Sequence, residues 1–390
     1  MDTLSCVDAL CALDSPYHED SDSQRLFDEA MREIVAFHVM NTPGYRQWLG
    51  RPQISPHAGQ GRFLARHNIP ADAANIDSWS QLPPIFADYF KQNLPIGRSG
   101  EDALELTSSG TSGQKSRMRY DARSIGAAQG MVDRIFRHYG WETPDAPCNY
   151  LLFSYEPADI ITLGTSFTDQ FLCKYAPVKR AVYALRHTGS GHEFDPFGVI
   201  RALQEFAEEG LPVRILGFPA FMWFILERMR EMQLPPLQLH HQSLAFFGGG
   251  WKTHADREIP KSAFYARLTQ QLGIPDSRCR DGYGSVEHCV PYIECAHHHF
   301  HIPVYSRAWI RDTSSLAVKD YGQRGFIQFV SPYITSCPAH SVVMSDLAQL
   351  HRAEECGCGV TTDWFELLGR ASHSKARSCA LAASELIKGN

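Results

Sequence analysis

No stretch of this 390-residue chain stays apolar long enough to cross a bilayer. Its longest apolar block, around Phe218 to Leu226, is well short of the roughly 20 residues a spanning helix needs. Basic charge is not in excess either: 37 Lys and Arg face 43 Asp and Glu, a formal net charge of −6. That balance argues against a nucleic-acid coat and against a polybasic membrane surface. Met1 to Asp22 is acidic and lacks the basic-then-apolar pattern of a secretory signal. The expectation is a soluble, cytoplasmic protein with neither membrane nor nucleic acid among its partners. An even set of cysteines is missing too. Eleven are present, which in a chain read as cytosolic points away from a disulfide framework and towards thiols, metal ligands or a nucleophile. There is no internal repeat.

What is there begins with an ordinary globular composition: 44% hydrophobic, 21% charged, mean hydropathy −0.27. A chain of this length buries a large core and forms more than one lobe. One stretch, Leu106 to Arg117, packs hydroxyls, glycines and two cations together: Ser108, Ser109, Gly110, Thr111, Ser112, Gly113, then Lys115 and Arg117. Hydroxyls and backbone N–H groups free of bulky Cβ atoms can wrap a polyphosphate, and cations neutralise it. The plainer alternative is a Ser/Gly surface loop.

Along the chain, Ser21 to Met40 has the spacing of an amphipathic helix, with Phe27, Met31, Ile34 and His38 on one stripe, Ser21, Asp22 or Ser23 as cap, and Pro43-Gly44 as stop. Residues 1–100 read as a helical N-terminal region packed on the core. Helices are expected at Ser124–Tyr139, Phe197–Glu209, Pro219–Met232 and Lys261–Gly273, and strands at Tyr150–Ser154, Val213–Gly217 and Ser243–Phe247. Such alternation means βαβ units and a mainly parallel sheet, so 101–299 reads as an α/β nucleotide-binding core. Glycine turns at 110–113, 248–250 and 282–284 come after apolar runs, as they do where a parallel sheet binds ligands at its carboxyl edge. From 300 to 370, short runs at Ile302–Ile310, Phe326–Ser331 and Ser341–Met344 suggest a small antiparallel β lobe. Residues 371–390 form a tail.

Several clusters carry chemistry. In Asp281-Gly282-Tyr283-Gly284-Ser285-Val286-Glu287, Glu287 is placed to hold Mg²⁺ against phosphate and an aromatic to stack on a base; an ordinary turn before a short helix is the alternative. Asp346 after a β run suits ribose hydroxyls, and Arg370 after Gly369 suits a hinge. Cys295, with His297, His298, His299 and His301, and Cys356-Gly357-Cys358, supply two soft-ligand pairs of the kind a tetrahedral structural zinc takes. Cys295, Cys356 and Cys358 are the expected ligands, with His301 or His297 as the fourth. Cys379, near Lys375 and Arg377 at an expected helix start, has the setting that lowers a thiol pKa; the alternative is a small residue packing one helix face.

The run Ser-Ser-Gly-Thr-Ser-Gly, then Tyr-Gly-x-x-Glu, Ser-Asp and Gly-Arg, resembles the adenylate-forming superfamily. The match is closest to its acyl-protein synthetases (LuxE-like) of bacterial fatty-acid reductase complexes. Ser108–Gln114, Gly248–Lys252, Phe300–Arg307, Ser331–Thr335 and the chain end carry it, over roughly residues 25 to 390. The resemblance implies an α/β fold: a large adenylation-type lobe with mainly parallel sheets and flanking helices, a small β lobe and a truncated C-terminal tail. It implies carboxylate attack on the α-phosphate of ATP, giving acyl-AMP and pyrophosphate. Residues 108–115 would hold the β- and γ-phosphates, with Gly249 in the glycine turn beside the nucleotide. Glu287 would bind Mg²⁺, Tyr283 and Gly284 would face the adenine, and Asp346 the ribose. Arg370 would act at the hinge, and Lys252 would neutralise the carboxylate or α-phosphate.

Three departures from the superfamily pattern stand out. Lys115 occupies a proline position and Ser116 the lysine position, Val286 replaces a threonine, and only about twenty residues follow Arg370. By the same resemblance, Cys379 is the acyl acceptor that passes its thioester to a partner protein, a reductase or carrier. Two alternatives stay open: a ligase delivering the acyl group directly to coenzyme A or a carrier thiol, and a non-catalytic zinc-containing interaction protein with a degenerate nucleotide cleft. Phe153, Phe218, Trp223 and Trp251 are candidate linings for an apolar or aromatic acyl group.

Overall fold

The computed structural model describes residues 4–42, 44–49, 78–92, 103–108, 115–156, 171–189 and 191–370. It divides into two compact units. The first comprises Met1–Ile135, Ser285–Tyr292 and His299–Asn390, the second Phe136–Gly284 and Ile293–His298.

In the second unit, strands Cys148–Tyr155, Val213–Gly217, Leu244–Gly248 and Cys279–Tyr283 lie parallel and side by side in that spatial order. Val178–His187 adds a parallel strand beside Cys148–Tyr155, and His192–Phe194 closes that edge antiparallel. The strand at 178–187 breaks the sequence expectation. Its first four residues, Val178, Lys179, Arg180 and Ala181, are exposed, as suits a strand near an edge, so the apolar signal is weak there. The helices fall where their punctuation predicts. Asp195 accepts the Gly198 N–H at 2.8 Å, Pro196 supplies a preset φ, and Gly210 at φ 70° ends helix Pro196–Glu209. Lys261–Leu272 ends the same way at Gly273. Apolar faces of these helices, Leu203, Phe206, Ile225, Leu226 and Leu268 among them, bury against Leu151, Ile215 and Ala245 of the sheet. Each large side chain so buried is worth about 1.5–3 kcal/mol. Phe153 belongs to this core and Trp223 packs on it, so both serve the fold.

Glycine stands at or next to the carboxyl ends of three neighbouring strands. Gly217, at φ 121°, tolerates no side chain: a Cβ there would meet the Phe153 carbonyl oxygen at 2.4 Å. Gly249 and Gly250 have φ 75° and 65°, and Gly248 sits opposite Gly282 in register. The backbone is thus laid bare along one edge of the sheet.

In the first unit, helix Ser21–Asn41 buries Phe27, Met31, Ile34 and His38 as their spacing predicts. Its cap is Asp20, one residue ahead of the expected positions, which accepts the Ser23 N–H at 2.8 Å. The β lobe is antiparallel, in the order Phe300–His301, Trp364–Arg370, Ser341–His351, Gly325–Val330, Arg307–Arg311, Val318–Lys319. Ile85–Phe86 joins it parallel, against Val342 and Val343. The expected strand at 302–310 is shorter than its apolar pattern, because Pro303 cannot donate to a ladder. No helix among the described residues is long and apolar enough to cross a membrane.

Candidate active site and metal centre

The hydroxyl- and glycine-rich loop is carried by a hairpin in the first unit. Leu104–Thr107 pairs antiparallel with Arg117–Tyr120, and Thr107 sits opposite Arg117. Two hydrogen bonds close its base: Ser108 N–H to the Ser116 carbonyl at 3.0 Å, and Ser116 N–H to the Ser108 hydroxyl at 2.9 Å. The Ser108 hydroxyl therefore works as a clamp on the loop. Ser109, Gly110, Thr111, Ser112 and Gly113 lie outside the described residues. Lys115 is exposed at the end of the loop and Ser116 is buried.

Glu287 lies in the same unit, only 6% exposed. Burial holds its carboxyl above the usual range, while the Ser116 and Ser285 hydroxyls, its own N–H and Lys91 pull the other way. The Tyr120 hydroxyl, one hairpin strand away, donates to the Val286 carbonyl at 2.6 Å and fixes the backbone just ahead of the glutamate. A buried carboxylate next to the base of a hydroxyl loop is a donor set suited to a divalent cation bridging to phosphate oxygens. Ser116 and Tyr120 were missed from sequence. Ser116 stands where the superfamily pattern has lysine, and that departure was the available signal.

Asp346 and Arg370 are cross-strand partners in the first unit. Their side chains pair at 3.4 Å, with Arg370 71% exposed and Asp346 18%. A register shift between Asp346 and Ala348 and the left-handed Gly369, φ 98°, mark the same spot. The expected ribose and hinge residues thus meet at one place.

In the second unit, Tyr283 is half-buried and Gly284 exposed at the end of the Cys279–Tyr283 strand, next to the Gly248–Gly250 turn. Lys252 opens the short helical segment Lys252–Arg257 just after these glycines. The Tyr283 strand is anchored from beneath. Asp281 is 3.1 Å from Lys261 Nζ, and its N–H donates to Glu294 at 2.8 Å. Lys261 also pairs with the fully buried Glu294, which accepts the Tyr265 hydroxyl at 3.0 Å. Burial pushes the Lys261 ammonium down, but the two carboxylates more than offset this and hold it above its usual range. Sequence reading missed this cluster because its members lie up to 33 residues apart.

In the first unit, His301, Cys356 and Cys358 each bring a ligand atom to within 4.8 Å of the others. His301 Nδ1 donates to the Thr362 carbonyl at 2.6 Å, which turns Nε2 towards Cys358 Sγ, 3.3 Å away. An outer carbonyl holding a ligating imidazole in this way is a usual companion of zinc. His299 Nδ1 lies 3.1 Å from Cys356 Sγ, and its ring stacks on Trp364. In the second unit, buried Cys295 accepts the His297 N–H on its sulfur at 3.3 Å, an arrangement that steadies a thiolate. The donor set fits zinc. Among the described residues no cysteine forms a disulfide. Burial pushes Cys11, Cys279 and Cys337 up to about 12 and Cys289 up to about 11, so these are poor nucleophiles. Cys379 lies outside the described residues.

A glycine-edged parallel sheet, a clamped hydroxyl loop and a buried glutamate beside it are the parts of an adenylate-forming ligase, an AMP-forming enzyme that uses ATP to activate carboxylic acids. A family profile described as acyl-protein synthetase, LuxE, matches residues 69–388, and the chain belongs to that family. It is 22% identical over 386 residues to a long-chain-fatty-acid–luciferin-component ligase of Vibrio harveyi, covering 97% of this chain and 93% of that one. A protein of the same description from Aliivibrio fischeri is also 22% identical, covering 98% and 95%. Among solved structures, 2-hydroxyisobutyryl-CoA ligase in an open conformation, in complex with 2-HIB-AMP and CoA, superposes with a TM-score of 0.60 at 14% identity, over 92% of this chain and 77% of that one. The same ligase in its thioesterification state gives 0.61, over 91% and 69%. These likenesses establish the adenylate-forming fold.

Proposed function

We propose that the chain is an acyl-protein synthetase that activates a long-chain or aromatic carboxylic acid as acyl-AMP, takes the acyl group onto Cys379 as a thioester, and hands it to an acceptor protein. The observation that carries this reading is the pairing of the Ser108–Ser116 clamp with buried Glu287, inside a family match that runs through the tail to residue 388. The named relatives are ligases of long-chain fatty acids to a luciferin component, which supports a fatty acid and an acceptor for this chain as well.

In the first step the acid's carboxylate attacks the α-phosphorus of ATP and pyrophosphate leaves. Ser109, Gly110, Thr111, Ser112 and Gly113 cradle the β- and γ-phosphates, with Lys115 and Arg117 as nearby cations. Tyr283 and Gly284 face the adenine beside Gly249, Asp346 accepts from the ribose hydroxyls, and Lys252 neutralises the acid or the α-phosphate. Glu287 would hold Mg²⁺, which would supply charge neutralisation at the leaving phosphates. In the second step the Cys379 thiolate attacks the acyl carbonyl and AMP leaves, while Arg370 acts at the hinge. Positioning and charge neutralisation are the means of catalysis. Cys295, His301, Cys356 and Cys358 would hold zinc in this reading, and its part would be structural.

Replacement of Cys379 by serine is expected to leave acid-dependent pyrophosphate exchange intact and to abolish hydroxylamine-labile acylation of the protein. Unchanged labelling of that variant would exclude Cys379 as acceptor. Acyl transfer to coenzyme A at the wild-type rate in the same variant would favour direct delivery to a free thiol.

A further inference from the structure

The second unit holds a cavity on the edge of its sheet opposite the glycines. It is lined by Trp141, Thr143, Cys148, Arg214, Gln242 and Arg278, among others. Cys148 opens its strand, Arg214 is the second residue of its own, and Arg278 directly precedes the strand Cys279–Tyr283. The strands are parallel, so these are amino ends, whereas the nucleotide edge is made of carboxyl ends. The cavity encloses about 40 Å³, room for about three waters or one oxyanion group.

Its chemistry is cationic. Arg214 is 5% exposed; its Nη2 donates to the Trp141 carbonyl and to Thr143 Oγ1 at 3.0 Å, while its buried Nη1 has no hydrogen-bond partner. Arg280, also 5% exposed, donates to the Cys295 carbonyl and leaves a buried Nε without a partner. Arg278 stands beside both: burial, then Arg214 and Arg280, hold its guanidinium below its usual range. Among the described residues none of the three arginines forms an ion pair with a carboxylate. Buried guanidinium groups without a counter-ion are costly, and unpaired forks of N–H donors match an oxyanion.

We propose that this cavity is a binding site for a phosphate group, held by Arg214 and Arg278 and separate from the adenylation chemistry. Phosphate is favoured because its tetrahedral oxygens can engage more than one guanidinium at once. Free phosphate, pyrophosphate and a phosphate carried by a larger molecule share this chemistry, and the site stands independently of the role of Cys379.

The test monitors thermal unfolding of the full chain while inorganic phosphate, pyrophosphate or acetate is titrated in. Phosphate or pyrophosphate is expected to raise the midpoint saturably and acetate is not, and whichever of the two phosphates saturates first identifies the form bound. Arg278→Gln is expected to shift half-saturation by at least about tenfold. Without anion, this variant should melt no lower than wild type, since it loses a charge repelled by Arg214 and Arg280. Arg214→Lys, which keeps the charge but loses the fork, is expected to weaken the response too. Absence of any response in wild type overturns the proposal, as does an unchanged response in Arg278→Gln. A response lost in Thr111→Ala but kept in Arg278→Gln would put the anion at the hydroxyl loop instead. A lower midpoint for ligand-free Arg278→Gln also counts against it, because the guanidinium would then be satisfied within the fold.

Discussion

The two units satisfy their polar interiors in different ways. In the second, Lys261, Asp281 and Glu294 form a set of opposite charges under the Tyr283 strand, and each charge finds its counter-charge within the unit. In the first, one polar cluster is made of sulfur and imidazole, with His301 beside Cys358. One cation–carboxylate pair of that unit, Asp346 with Arg370, leaves its arginine 71% exposed. The contrast is between a strand locked by internal charge pairing and a sulfur–imidazole cluster whose donor set suits an added cation.

Three measurements bear on that contrast. Removing zinc is expected to have the largest effect. Protein purified without a histidine-affinity column should carry one zinc per chain. Stripping it with a chelator should lower stability by about 4 kcal/mol if free zinc had stood about 1,000-fold above its dissociation constant. Absence of stoichiometric zinc in elemental analysis would sink the site.

Next comes Lys261→Met, expected to destabilise by about 3 kcal/mol in denaturant unfolding near neutral pH. Asp281, which burial already holds up at about 6, would then lose its neighbouring cation and be pushed higher. A carboxyl so raised is most stable protonated, so the deficit should shrink as the pH falls towards about 6 and grow as it rises above it. A deficit independent of pH would mean that only packing was lost. The smallest effect belongs to Arg370→Ala: the exposed pair should contribute less than about 1 kcal/mol to stability. A larger loss would show that the hinge is held firmly.

Much of the second unit was legible from sequence because its signals are local. Asp195, Pro196 and Gly210 bracket a helix within fifteen residues, and apolar runs ending in glycine mark the strands. Val178–His187 was not legible, since its exposed first half carries charge where a buried strand would carry apolar residues. The clustered cysteines and histidines were readable as short motifs, yet the imidazole 3.1 Å from the Cys356 sulfur, that of His299, was not distinguished from its neighbours. Among four histidines within five residues only the strand pairing at Phe300–His301 decides which rings face which way. Ser116 could not have been assigned to Glu287 from spacing, because 171 residues separate them and only the folded hairpin brings them together.

The pairing of Arg370 with Asp346 has a geometric consequence. Nine residues separate Arg370 from Cys379, and a chain spans at most about 3.6 Å per residue, so the thiol is tethered within about 30 Å of that point. One thiol confined to a sphere of that radius has an effective concentration on the order of 10 mM. With Cys379 in the acceptor role proposed above, a free thiol would need to approach that level before it could compete on equal terms for the acyl group.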